Sequence, residues 1–298
     1  MGGRSLAAVP PRGSGALAEG VLRLRGGMAD GRTVYRRRSM AFRSGITRGF
    51  DLSLPSNRFV LLGTPAAGVV AGVVTLLAGD GPATAVRHGF SAGGATFIAW
   101  AVVRELHPDR PVLAALAAVV APLGLVAGDP DLLAAAVVLL GARVVAGTTG
   151  RAMRWVDVAI VGAVAFPVAM RPTGSGVLTS TAIALLAVLS VQDRRRLQLV
   201  SGALLVAGLA AFSWWGFEAG FDPDPWSIAA AALGASSLMG PRRVTAGTDR
   251  SGGRISPRRV RAARGFALIA AAAAAVGSDP AAMAPVWAAL AATGSRPT

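Results

Sequence analysis

FVLLGTPAAGVVAGVVTLLA, residues 59–78, runs for twenty positions without a charge. As an α-helix rising 1.5 Å per residue it measures about 30 Å, the thickness of a bilayer's hydrocarbon core. Further apolar stretches follow it as far as Thr293, for roughly ten in all. Taken as spans they run Phe59–Ala78, His88–Val103, Val112–Ala127, Leu132–Ala146, Val156–Met170, Gly176–Val191, Leu197–Trp215, Trp226–Met239, Gly265–Gly277 and Ala281–Thr293. The last two are short. Either they form a hairpin that does not fully cross, or the ninth begins earlier, near Val260.

If each stretch crosses once, the loops alternate in character. One set carries Asp80, Asp129 with Asp131, and Glu218 with Asp222 and Asp224. The other carries Arg104 with Arg110, Arg151 with Arg154, Arg194–Arg196, and the arginines of 240–264. All thirty cationic side chains are arginine, and on this count only Arg87 and Arg171 fall on the acidic side. Arginine near span ends is retained in the cytoplasm, whereas acids contribute little to orientation. The reading is an all-α, polytopic helical membrane protein of about ten short transmembrane helices, between eight and ten. Both termini are cytoplasmic, and the location is a bacterial cytoplasmic membrane.

Composition agrees with that class. Charged residues make up 15% of the 298, apolar residues 53%, and the mean hydropathy is +0.55. A soluble domain carries about 25% charged residues. The formal charge of +15 is spread along a rim and a tail rather than gathered on one soluble face. It therefore points to the lipid bilayer and its anionic headgroups as partner, and not to nucleic acid. A homo-oligomer is compatible with the chain. Cysteine and lysine are both absent. This excludes disulfides, thiolate nucleophiles, Schiff-base lysines and P-loop lysines, and nothing in the sequence calls for a cofactor.

Residues 1–58 read as a separate basic tail, largely disordered, with eleven arginines and few apolar residues. Leu6–Val9 is too short for a secretory h-region, and Met28 and Met40 are alternative starts. Phe42, Ile46 and Phe50 recur at helical spacing, which suits a short helix on the membrane surface. The bundle is expected over 59–293, with 294–298 as a short cytoplasmic tail. Ala and Gly are abundant in the spans, and small residues let helices approach closely inside lipid.

Gly89-Phe90-Ser91-Ala92-Gly93 fits the G-x-S-x-G nucleophile elbow, which belongs between a strand and a helix with a histidine later in the chain. The same pentapeptide resembles the serine motif of the rhomboid intramembrane proteases, whose base is a histidine from a later span. No histidine follows His107, and sixteen helical residues separate His107 from Ser91, about 24 Å. Helix packing accounts for the glycines better.

Two clusters are the candidate binding site. Arg104-Glu105-Leu106-His107-Pro108-Asp109-Arg110 joins cation, acid and imidazole at the cytoplasmic end of span two. Arg143 and Asp157 lie at the cytoplasmic ends of spans four and five, and are expected to pair with each other or with Glu105 and Arg104. Ionisable groups at a span boundary are disfavoured toward lipid and turn inward, so Arg104, Glu105, His107, Asp109, Arg143 and Asp157 are the ligand-binding candidates. One imidazole and two carboxylates in one short loop leave a metal sphere incomplete. No catalytic residue is assigned. Thr179, Ser180 and Thr181 are expected to bond back to helical carbonyls.

Ten spans divide as five plus five in opposite orientation, an arrangement common among transporters. In size and topology the apolar core resembles the drug/metabolite transporter superfamily, a likeness that rests on no motif. The expected function is a small-molecule or lipid transporter-like bundle. A membrane-embedded enzyme acting on a lipid or phosphate substrate at the cytoplasmic face, or a non-catalytic scaffold subunit, stays open beside it.

Overall fold

The computed structural model describes residues 44–46, 50–216, 232, 234–239, 243–248, 253–276 and 280–294. Nine α-helices are found among them: α1 (Pro55–Leu77), α2 (Pro82–Leu106), α3 (Pro111–Val120), α4 (Leu132–Ala146), α5 (Trp155–Ala169), α6 (Pro172–Val191), α7 (Arg195–Gly216), α8 (Pro257–Val276) and α9 (Ala284–Gly294). A 3₁₀ segment, Ala121–Val126, prolongs α3, and short 3₁₀ turns cover Ser237–Met239 and Pro280–Met283. No strand is present among the described residues, where β pairing is limited to the bridge between Gly247 and Arg254. The chain is all-helical. Half of span eight, 226–231 and 233, lies outside the described residues, as do the acidic loop 218–224 and residues 1–43.

Proline sets the helix starts. Pro55, Pro82, Pro111, Pro172 and Pro257 each open a helix, where a missing N–H costs nothing and φ is already helical. For this reason α2 begins six residues before the expected His88, and α8 begins at Pro257 rather than Gly265. Asp131 caps α4 by accepting from the Ala134 amide at 3.0 Å. Gly147 ends the same helix in the left-handed conformation, φ +65°.

Helices α1 and α2 meet backbone to backbone. A Cβ on Gly68 would sit 2.9 Å from the Gly89 carbonyl oxygen, and one on Gly93 would sit 3.0 Å from that of Thr64. Gly68 with Gly72, and Gly89 with Gly93, are therefore paired small-xxx-small faces. Ser91 lies buried on that same helix. His88, three positions before it, hydrogen-bonds Thr75 Oγ1 at 3.0 Å through Nδ1. The pentapeptide is a helix-packing surface here, with no strand before it.

The core is built mainly from alanine and valine: Ala99, Val102, Ala117, Val138, Ala142, Ala267 and Ala270 are all sealed. Larger rings fill what these leave, Phe266 lying against Gly141 and Trp287 against Gly234, with Trp100 in the same cluster. Hairpins α1–α2 and α6–α7 pack along their lengths, α4 packs on α8 and α6, and α9 lies on α2 and α3. Helix α1 stands at the edge, with its principal contacts to α2 and α3 alone.

Polar groups gather at the two ends of the bundle. At one end Arg87 and His88 face Asp129 at 3.6 and 3.7 Å, and Arg171 pairs with Asp131 at 3.3 Å. The only two arginines expected on the acidic side thus both meet its acids. Helix flanks between the ends are coated with exposed apolar side chains, among them Leu62, Phe90, Val112 and Leu199 at 71–77% exposure. By length and composition, two helices among the described residues are long and apolar enough to cross a membrane, Pro55–Leu77 and Gly174–Val191. Four shorter apolar helices, Pro111–Val126, Leu132–Ala146, Trp155–Ala169 and Ala281–Gly294, accompany them.

Candidate functional site

At the arginine-rich end, α2 delivers Glu105 and α4 delivers Arg143. Arg143 Nε donates to Glu105 Oε1 at 2.7 Å, and Thr148, just past the Gly147 cap, donates to Glu105 Oε2. Glu105 is completely buried, so both carboxylate oxygens are answered where water is excluded. Arg143 Nη1 reaches the Ile46 carbonyl at 2.8 Å.

Asp157, also sealed, takes a different set of partners. It accepts from Ser44 Oγ, from the Gly45 amide at 2.9 Å and from the Arg154 amide at 2.8 Å. Thr149 Oγ1 donates to the Gly45 carbonyl at 2.6 Å. Arg143 and Asp157 therefore do not pair with each other. They grip the two sides of Ser44–Ile46, a segment assigned to the tail from sequence. Ser44 and Ile46 are 2% and 3% exposed, and Ile46 packs against Val144, Met153 and Val158. The described residues of this stretch, 44–46 and 50, are not helical, and Ser44–Ile46 is inserted in the bundle; the rest of the expected surface helix over Phe42–Phe50 lies outside the described residues. The expected boundary at 58/59 falls inside α1, and the compact unit begins at Phe42.

Asp109 holds the opposite wall. Its carboxylate accepts from the Thr245 and Ala246 amides at 3.1 and 2.6 Å and from Thr245 Oγ1 at 3.0 Å. This ties part of the last arginine-rich loop down beside α2. His107 caps α2 and is buried, and its Nδ1 has no hydrogen-bond partner among the described residues. Burial pushes the imidazole below its ordinary value, with Arg264 and Arg110 adding to the effect and Asp109 opposing it. Arg264 is itself sealed, donating to the Leu106 and Ser237 carbonyls at 2.8 Å.

Between these walls lies a cavity of about 570 Å³. Arg104 and Arg143 line it, together with Asp51, Phe50, Phe97 and Trp100. The ring centroids of Phe50 and Phe97 each lie 6.0 Å from that of Trp100. Trp100 is 7% exposed, and its indole Nε1–H finds no acceptor among the described residues. Asp51 is held below the usual carboxylate range by hydrogen bonds from Ser53.

Of the six residues expected to form a site, Arg104 and Arg143 line the cavity. Glu105 anchors Arg143 from below, and Asp109 secures the far wall. His107 and Asp157 are absent from the lining. Trp100, Asp51, Thr148 and Thr149 were missed from sequence. Trp100 carried one signal: in the sequence Trp155, Trp214, Trp215 and Trp226 fall at expected span ends, as an aromatic belt requires, and Trp100 does not. Among the described residues no group of three or more His, Cys, Asp or Glu is placed to hold a metal. Of the hydroxyls expected to bond back, Thr179 Oγ1 does so to the Ser175 carbonyl at 2.9 Å, whereas Thr181 Oγ1 is buried with no hydrogen-bond partner among the described residues.

No protein family, no curated protein and no solved structure matches the chain.

Proposed function

We propose that the chain is a polytopic protein of a bacterial cytoplasmic membrane that binds a small organic anion from its arginine-rich, cytoplasmic end, as a transporter-like bundle. One observation carries the ligand class: Arg104, Arg143 and the ring of Trp100 line one cavity. The guanidinium groups of Arg104 and Arg143 supply donors for a carboxylate or phosphate. The rings of Phe50, Phe97 and Trp100 supply an apolar surface beside them. A volume of about 570 Å³ suits a small-molecule ligand. Asp51, on the same lining, leaves room for an additional amino group.

The membrane reading is supported by the exposed apolar flanks and by the gathering of polar groups at two ends. A transporter-like construction is supported by the pairing of helices. Hairpin α1–α2 has its counterpart in α6–α7 and contact α4–α5 in α8–α9, while α2 meets α9 as α7 meets α5. Helix α4 then meets its own counterpart α8, as elements beside a pseudo-twofold axis do. The counterpart relation breaks at α1, which stands outside where α6 is enclosed, and at α2, which packs on α4 where α7 makes no comparable contact with α8.

Reporter fusions after Asp80, Asp131 and Glu218 should read as external, and fusions after Arg110, Arg196 and Arg254 as cytoplasmic. Several on the wrong side would end the membrane reading. For the ligand, purified protein is screened by thermal shift against carboxylates, phosphates and amino acids. Any hit is then retested in Trp100→Phe and Arg104→Gln and followed into proteoliposome uptake. Binding that both variants weaken while their ligand-free stability is unchanged supports the site. A hit indifferent to both places the ligand elsewhere.

A further inference from the structure

A second opening of about 600 Å³ lies between α6 and α8 and has no part in the cavity above. Its lining is apolar along most of its length, with Ile183, Ala187, Val191 and Ile269 among its walls, and it ends at Gln192 and Arg259. Ile183, Val191 and Ile269 are 54%, 88% and 62% exposed, so the groove is open along its side. From Ser180 to Gln192 on α6, and from Arg259 to Ile269 on α8, the helical rise makes it about 15–18 Å long. That is about one leaflet of a 30 Å hydrocarbon core.

Polarity is graded along this length. Arg259 stands at the arginine-rich end, where Nε and Nη2 donate to the Val145 and Val144 carbonyls at 2.8 and 2.9 Å. Those carbonyls belong to the last turn of α4, and they fix the guanidinium at the mouth instead of leaving it to swing into solvent. Arg258 and Arg261, both exposed, lie on the same helix end.

We infer that this groove is a binding site for one acyl chain of an anionic phospholipid of the cytoplasmic leaflet, with the headgroup phosphate at Arg259. The inference rests on the membrane reading above, but not on the anion cavity. Three features argue for this occupant. The groove is as long as a leaflet is deep. It is apolar where acyl carbons lie, and its single guanidinium sits at the depth of a phosphate. A groove filled by a second copy of the chain would need no charge at one end only.

The experiment uses full-length protein extracted in a mild detergent and stripped of lipid. Phosphatidylglycerol or phosphatidylcholine is added back, and bound lipid is counted by native mass spectrometry. Ala187→Trp and Ala262→Trp put bulk into the groove from exposed lining positions without entering the core. One phosphatidylglycerol should be retained per chain, preferred over phosphatidylcholine by about tenfold, the factor that 1.4 kcal/mol of charge-assisted contact supplies. Each tryptophan variant should lose that lipid at unchanged lipid-free thermal stability. Retention equal for the two lipids, or undiminished in both variants, overturns the inference, as does a dimer that the same variants dissolve. A protein that leaves the membrane fraction without detergent would instead overturn the membrane reading itself.

Discussion

Replacing Arg143 by methionine keeps most of the side chain's volume and removes the cation opposite Glu105. The carboxylate would stay where no solvent reaches it, with Thr148 as its remaining donor of the two described above. Breaking a buried ion pair from one side destabilises by about 3–5 kcal/mol, because the stranded charge has lost its compensation. Loss of the 2.8 Å bond to the Ile46 carbonyl acts in the same direction and loosens the inserted segment. A chain of this size moves its midpoint by about 2–4 °C per kcal/mol, so a fall of about 6–20 °C is expected. The assay is thermal unfolding of the detergent-solubilised protein followed by intrinsic tryptophan fluorescence. The decisive comparison is Arg143→Met with Glu105→Gln. Neutralising the stranded acid should return at least half of the loss, and the cycle should give a coupling of about 2 kcal/mol. A fall below about 3 °C for the single variant, or strictly additive losses in the pair, would refute the claim that Glu105 and Arg143 form a buried brace.

Gly147→Ala should cost about 2 kcal/mol in the same melt, since φ is +65° there and a Cβ would collide with the Arg259 guanidinium. A neutral result would mean that Arg259 is not held at the end of α4. His107 makes stability pH-dependent. Its folded value is depressed, so the stability it contributes is complete above the unfolded value of about 6.5 and is lost as pH falls below that. The midpoint should therefore drop on acidification, and His107→Asn should flatten the profile between pH 7 and pH 5. Truncation should separate tail from core: removing residues 1–40 leaves the melt unchanged, whereas removing 1–46 lowers stability by about 3 kcal/mol. The longer cut strips the partners of Asp157, Thr149 and Arg143, and equal behaviour of the two would show that Ser44–Ile46 does not brace the bundle.

Helices were legible in the sequence wherever a long apolar run stood between charged loops. Span four, Leu132–Ala146, is the clearest case and is observed with those same ends. Ends marked by proline were misplaced, because hydropathy tracks apolar side chains while helix initiation depends on φ and a dispensable N–H. Thus α2 takes in Pro82–Arg87, a stretch that lies before the expected start at His88. That Glu105 would meet Arg143 was one alternative among several. The choice between them depends on the rotation of α2 against α4, which a pattern of apolar residues as uniform as alanine and valine does not encode. The insertion of Ile46 was not legible at all. The periodic signal there, Phe42, Ile46 and Phe50 at helical spacing, pointed to a surface helix instead, and the burial of Ile46 is decided by acceptors and donors a hundred residues away.

The cavity and the groove answer one electrostatic problem. On the proposed topology the acids Asp80, Asp129, Asp131, Glu218, Asp222, Asp224 and Asp279 share the outer end with Arg87 and Arg171, while every other arginine lies at the opposite end. The acids left at that end include Glu105, Asp109 and Asp157, and each of these is already committed, to Arg143, to the 245–246 loop and to the Ser44–Ile46 segment respectively. Fifteen acids against thirty arginines means that neutralising anions must come from outside the chain. Headgroup phosphates meet that need along the rim. Where Arg104 and the Glu105-paired Arg143 line one cavity, a small anion meets it better than a lipid does. Arg259, fixed at the open end of an apolar groove, is the place where a lipid meets it best.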